Sequence, residues 1–228
     1  EFDLATWRGA AYLILNQIIF YCILSAEVDR FPSLMEIKRP EDLQQYFDKV
    51  LLDNYEAIFR AKIVPLLPQD SFPLINDIIT DVKRLRIDLI RHDVIGKIFQ
   101  RLIPEDLRKR IAAYYTSNAA AELLCVLSID DKDTLVLDPA CGSGALLLAA
   151  YNRKLELNGR DREVAHPKLL REIYGIDIAS FAAHLAAIQL SLQEPLNRTD
   201  QVRVLLSDFF KLSPEQLPQF MEWNIMID

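Results

Sequence analysis

The run Asp138-Pro139-Ala140-Cys141-Gly142-Ser143-Gly144 is the sharpest chemical feature of the sequence. It lies between a short apolar stretch ending at Asp138 and an apolar helical pattern beginning at Ala145. A glycine-rich turn at that junction lets backbone N–H groups approach a ligand at the start of a helix, where the helix dipole favours negative charge. Several ligands use such a turn. A dinucleotide site would want a third glycine where Leu147 stands, and an acid about twenty residues on. The acid ending the next strand comes much later, at Asp177. A phosphate-binding P-loop would need Gly-Lys-Ser/Thr after its four-residue spacer, and the sequence has none.

Two more acids give the loop its context. Asp138, Asp177 and Asp208 each close an apolar stretch of strand character. In an open parallel sheet the C-terminal strand ends line one crevice, so three such carboxylates converge on one ligand. Ionised carboxylates accept hydrogen bonds from an ammonium group, ribose hydroxyls and an exocyclic amine. S-adenosylmethionine carries all three.

These motifs, in this order, resemble those of the N6-adenine DNA methyltransferases. The likeness is narrower still to the group containing type I modification subunits and type IIG restriction–modification enzymes. Residues 138–144 resemble the first motif of that family. Arg110-Ile-Ala-Ala-Tyr114-Tyr115-Thr116-Ser117 resembles its Tyr-Tyr-Thr-Pro motif, with Ser117 in place of the proline. Ile173-Tyr-Gly-Ile-Asp177-Ile178 resembles the second motif, and Leu206-Ser-Asp208-Phe209 the third. Asp93-Val-Ile-Gly-Lys-Ile-Phe99 is similar to the helix that precedes the tyrosine motif.

The resemblance spans residues 93–228 and implies S-adenosylmethionine as cofactor. It implies contacts from Tyr115, Thr116, Asp138, Pro139, Ala140, Gly142, Gly144, Asp177, Ile178, Asp208 and Phe209. In this reading Asp177 takes the ribose hydroxyls, Asp208 accepts from the adenine amine, and Phe209 packs beside the ring. The family's catalytic Asn/Asp-Pro-Pro-aromatic motif would follow a fourth strand. Trp223-Asn-Ile-Met-Ile-Asp228 reads as that strand, and no Pro-Pro-aromatic follows it. The expectation is therefore a fragment truncated before its catalytic motif, which binds cofactor without methylating by itself. No catalytic residue and no metal ligand is assigned within the chain.

Elements of two kinds must position these residues. Prolines divide the first hundred residues into helices: 4–26, 40 to about 64, 73–90, 94–102 and 104–113. Beyond residue 117, strands at 134–138, 173–178 and 202–206 alternate with helices at 118–127, 145–157 and 180–193. That alternation implies parallel strands joined by crossover helices. The expected fold class is α/β, a truncated Rossmann-like class I methyltransferase fold preceded by an all-helical domain. The expected domains are 1–103, helical, and 104–228, the S-adenosylmethionine-binding part.

Bulk properties set the limits. The 228 residues are 51% hydrophobic and 26% charged, with 6 glycines and 11 prolines, as in a helix-rich globular protein. A net charge of −7 argues against this segment gripping a nucleic-acid backbone alone. If the parent protein acts on DNA, the contacts are expected outside this chain, through a specificity subunit or a fused recognition domain. Cys22, Cys125 and Cys141 have no metal-site spacing, and their odd number points to a reducing compartment. The apolar residues 10–25 are shorter than a membrane span and contain Asn16 and Gln17. They read as a buried amphipathic helix, with Trp7, Tyr12, Phe20 and Tyr21 in the core and no membrane partner. The family resemblance places the protein in a prokaryotic cytoplasm.

Other candidates read plainly. His92, His166 and His184 have no ligand-spaced partner and suit surface or capping roles. Cys141 has no nearby histidine to activate it. Glu36-Ile-Lys38 is a nuclease-like triplet in a proline-flanked linker, without a clear strand or an upstream metal-binding acid. Arg108-Lys109-Arg110 suits the end of a helix as well as a phosphate. Two rivals to the main reading remain: an amino methyltransferase acting on RNA or on a protein glutamine, and a non-catalytic scaffold module of the same fold. The tyrosine motif upstream of the glycine loop argues against the first.

Overall fold

A computed structural model describes residues 4–51, 59, 62–84, 116–194 and 202–212, apart from a few helical side chains. The first part is helical. Helix α1 spans Leu4–Glu27. Every side chain from Asn16 to Leu24 is buried, so this stretch is enclosed all round rather than amphipathic. Phe20 and Tyr21 are in the core as expected, whereas Trp7 is 40% exposed near the start of the helix. No described helix is long and apolar enough to cross a membrane.

Helix α2, Pro40–Leu51, opens with proline and two acids, which suit a first turn that lacks N–H partners and carries the positive dipole end. Asp42 Oδ2 accepts from the Lys38 and Arg39 amides at 3.2 and 3.0 Å. Leu43, Phe47 and Val50 form its buried stripe at helical spacing. Of the continuation expected to about residue 64, Phe59 is helical and residues 52–58, 60 and 61 lie outside the described residues; a 3₁₀ turn stands at Val64–Leu66. Pro65 accounts for that, since it has no N–H to donate and restrains the residue before it. A second 3₁₀ turn, Gln69–Ser71, leads into α3, Phe72–Arg84, which buries Phe72, Ile75, Ile79 and Val82. The Asn76 side chain ties the linker to α3. It accepts from the Ile37 amide at 2.9 Å and donates to the Ile37 carbonyl at 2.8 Å.

The second part alternates helices and strands. Helix α4 is Asn118–Ser128, β1 Val136–Asp138, α5 Ala145–Leu157, α6 Arg162–Glu172, β2 Ile173–Asp177, α7 Ser180–Ser191 and β3 Arg203–Leu206. A 3₁₀ turn follows at Phe209–Lys211. The three strands form a parallel sheet in the order β1-β2-β3, with Asp138 opposite Gly175 and Asp177 opposite Leu206. Parallel neighbours require crossovers, which α5 with α6 and then α7 supply. This matches the expected pattern. The fourth strand expected at 223–227 lies outside the described residues, as do the helices expected at 94–102 and 104–113.

Helix α6 was not anticipated. Pro167 lies inside it, and its composition is polar. Its cues are Asp161, whose side chain accepts from the Val164 amide at 3.2 Å, and the stripe Ala165, His166, Leu169 and Leu170. His166 and His184 are both buried, which overturns the surface role expected for them. His166 Nδ1 sits 2.7 Å from the Tyr151 hydroxyl. Burial, followed by the nearby Arg162 charge, lowers the pKa of His166 to about 4. Lys154 on α5 is fully buried, 2.9 Å from Glu172 Oε2, and donates to the Lys132 carbonyl at 2.8 Å and to that of Thr134. A buried ammonium needs such partners. Here they anchor the loop that leads into β1.

Candidate functional site

Three acids close three adjacent parallel strands: Asp138 ends β1, Asp177 ends β2, and Asp208 lies two residues past β3. They share a local geometry. The Oδ1 of Asp138 accepts from the Ala140 amide at 3.1 Å, that of Asp177 from Ala179 at 2.8 Å, and that of Asp208 from Phe210 at 3.1 Å. Each is thus an Asx turn, in which a short carboxylate takes the amide two residues on and stops the strand cleanly. This is the local reason for an acid at each strand end. It leaves acceptor capacity, since a carboxylate offers about four lone-pair sites.

Asp177 does more than its neighbours. Its Oδ2 accepts from the Gly142 amide at 2.8 Å, across the gap between two strand ends. The adjoining backbone is tied in as well, with Cys141 N donating to Ile176 O and Ser207 N to Asp177 O, both at 2.9 Å. The end of β2 therefore holds the glycine loop on one side and the exit of β3 on the other. Asp208 is committed more locally, capping its 3₁₀ turn and lying 3.5 Å from Lys211 Nζ.

The loop depends on glycine at two places. Gly142 has φ +53° and Gly144 φ +90°, a region unfavourable to other residues. A Cβ on Gly142 would meet no atom of the described residues within 4 Å, so among them the backbone there borders open space that a ligand can approach. A Cβ on Gly144 would stand 3.0 Å from both Cα and Cβ of Ala186 on α7. Below the loop, a Cβ on Gly175 would meet Leu147 Cδ1 at 2.6 Å and Cys141 Sγ at 3.0 Å. Glycine in mid-strand lets α5 and the loop settle close onto the sheet.

Burial raises the pKa of Asp138 above the ordinary carboxylate range, with the Ala140 amide opposing and Asp177 adding to the rise. The Cys141 thiol is buried and pushed strongly up, by burial first and then by Asp177 and Asp138. It stays protonated, which makes it a poor nucleophile. Among the described residues no group of three or more His, Cys, Asp and Glu side chains could hold a metal ion. Glu36 and Lys38 are about three-quarters exposed, 3.9 Å apart, in a segment without a strand.

The residues expected to bind cofactor are placed unevenly. Asp138, Gly142, Gly144 and Asp177 are joined in one bonded loop system. Pro139 and Ala140 lie exposed on its outer turn, and Ile178 is 71% exposed beside Asp177. Phe209 is half-buried and Phe210 is 94% exposed, with ring centroids 5.9 Å apart. Thr116 is half-buried just before α4. Tyr115 lies outside the described residues.

The profile of the family described as N-6 DNA Methylase matches residues 91–220, which include the loop and all three strand-end acids. The chain belongs to the N-6 DNA methylase family. Membership implies a methyltransferase fold, with which the parallel sheet and its crossover helices are compatible. Two relatives bear out the likeness to this group. An "Adenine-specific methyltransferase BrxX" of Escherichia coli O9:H4 (strain HS) is 32% identical over 123 residues, covering 49% of this chain and 10% of that protein. A "Type I restriction enzyme MjaVII methylase subunit" of Methanocaldococcus jannaschii is 26% identical over 123 residues, covering 52% of this chain and 21% of the subunit. The N-6 DNA methylase chain described here thus spans only a tenth to a fifth of the length of these relatives.

Proposed function

We propose that the strand-end crevice binds S-adenosylmethionine, and that the protein to which this chain belongs methylates adenine N6 in DNA as part of restriction–modification. The observation that carries this reading is the bond from the Gly142 amide to Asp177, which builds one ligand-facing edge from two residues 35 positions apart. The open space over Gly142 and the spare acceptor capacity of the three carboxylates suit the cofactor.

In this reading the remaining lone pairs of Asp177 take the ribose hydroxyls, and the exposed Ile178 covers the sugar. Asp208 accepts from the adenine amine, and Phe209 lies along the ring. Asp138, whose ionised form burial disfavours, gains from an approaching ammonium. The glycine loop from Pro139 to Gly144 brings backbone close to the amino-acid end, with Tyr115 and Thr116 completing the wall. When bound, the cofactor supplies an electrophilic methyl group on a sulfonium. Direct transfer to an amine requires chiefly positioning, so these residues act by holding and orienting.

The target base must leave the duplex to be reached. With a net charge of −7, the chain leaves DNA contacts to other parts of the protein or to a specificity subunit. A prokaryotic cytoplasm is the compartment that goes with this proposal, and its proposed domains are the helical 1–103 and cofactor-binding 104–228 segments.

Calorimetric titration with S-adenosylmethionine tests the reading. Saturable binding by the wild-type chain, weakened at least about tenfold in Asp177→Ala, is expected from the loss of hydrogen bonds to a charged group. Equal affinity in Asp177→Ala would overturn it.

A further inference from the structure

A buried amide outside the strand ends also grips the glycine loop. Gln189 on α7 is 3% exposed, and its Nε2 donates to the Ser143 carbonyl at 2.7 Å, 46 residues away in sequence. The other end of the same peptide unit is bonded too, since Gly144 N donates to the Cys141 carbonyl at 2.8 Å. A trans peptide is planar, so fixing its C=O and its N–H sets the orientation of the whole Ser143–Gly144 unit. One turn before Gln189, on the same face of α7, Ala186 abuts Gly144. Helix α7 therefore meets the loop at two successive residues, while Asp177 holds a third.

The helix can serve as an abutment because it has packing on both sides. Leu185 and Ile188, with Leu192 just beyond its end, belong to the core that contains α1. Ala183, Ala186, Ala187 and Leu190 belong to the core beneath the sheet. The glutamine is a poor choice for that interior: its Oε1 is buried and has no hydrogen-bond partner among the described residues. An apolar side chain of similar volume would pack there without a stranded acceptor. What such a side chain would lack is the donor to Ser143.

We infer that Gln189 is a positioning residue for the cofactor loop, holding the Ser143 carbonyl toward α7 and away from the crevice. The inference rests on the S-adenosylmethionine reading for its functional meaning and on geometry for the brace itself. Released, the peptide unit could turn its carbonyl oxygen toward the crevice, where the Asp138 and Asp177 carboxylates already gather negative charge.

The test uses the full chain with Gln189→Met, which keeps the volume, and Gln189→Leu, a second apolar side chain; both remove the donor. Three quantities are read: hydrogen exchange in a peptide covering residues 140–146, S-adenosylmethionine affinity, and melting temperature. Loss of one hydrogen bond predicts loop exchange faster by about fivefold to tenfold and affinity weaker by a similar factor. The melting temperature of Gln189→Met should hold or rise. Unchanged loop exchange in both variants would overturn the proposal. So would affinity that falls only in step with melting temperature while exchange rises throughout the chain, because that is the signature of general destabilisation. Failure of the wild type to bind S-adenosylmethionine, with the loop still loosened in the variants, would sink the cofactor reading and leave the brace standing.

Discussion

The two parts of the molecule fill their interiors by opposite means. Around α1, α2 and α3 the core is built from rings. Phe20 and Phe59 meet edge-on with centroids 5.7 Å apart, Phe47 and Phe59 at 5.0 Å, and Tyr21 and Tyr46 at 5.5 Å. Beneath the sheet the core is aliphatic, with Ala165, Ala183, Ala186, Ala187 and Cys141 set among leucines, valines and Ile173, and among its described hydrophobic residues Tyr151 alone is aromatic. Large side chains hold helices apart and fill the space between them. Small ones let backbones touch, which is what a loop needs if a neighbouring helix is to shape it. The first core should therefore suffer most from lost volume and the second from added volume.

The strongest challenge to that contrast is Phe47→Ala. Removing this buried ring should cost about 3–5 kcal/mol, a drop in melting temperature of roughly 10 °C on heating followed by circular dichroism. A loss under about 1 kcal/mol would mean that the rings are not what holds the helices together.

The second core holds a buried histidine, in the Tyr151–His166 pair. The folded pKa of His166, about 4, lies below its ordinary value of 6.5, so the unfolded chain takes up the proton first. Its contribution to stability is complete above pH 6.5 and is lost as pH falls toward 4, a loss of about 3 kcal/mol. Denaturant melts across this range should fall more steeply for the wild type than for His166→Gln. Parallel curves would remove His166 from the account.

Gly144→Ala adds volume to the second core. The left-handed backbone costs a non-glycine residue about 1–2 kcal/mol, and the added methyl presses on the Ala186 backbone. Calorimetry should show the variant losing more S-adenosylmethionine affinity than its modest loss of stability would suggest. Smallest of all is Ser117→Ala, which removes the cap that accepts from the Ala120 amide at 3.3 Å and should cost about 1 kcal/mol in denaturant melts.

Much of this arrangement was legible in the sequence where the signal is local. Residues 145–157 read as a helix and form one with those bounds, because a glycine turn opens it and apolar spacing carries it. The strand-end acids were legible for a similar reason, since each sits at the junction of an apolar run and a turn. What stayed hidden joins distant residues. Asp177 reaches Gly142 across 35 residues and Gln189 reaches Ser143 across 46, and no periodicity encodes such a pairing. Lys154 is interior for the same kind of reason, because Glu172 and two carbonyls from distant segments stand ready for its charge. Helix α6 was obscured by Pro167, whose missing N–H suggests a break where the surrounding packing holds the helix intact.

Helix α7 belongs to both cores, and this bears on how the molecule comes apart. Melting either core strips one flank of the helix and exposes apolar residues that the other core cannot shelter. Differential scanning calorimetry of the full chain should accordingly show one heat-absorption peak, with van't Hoff and calorimetric enthalpies in agreement, rather than two. A version lacking the first three helices would carry Leu185, Ile188 and Leu192 as an oily stripe facing water, and would invite self-association.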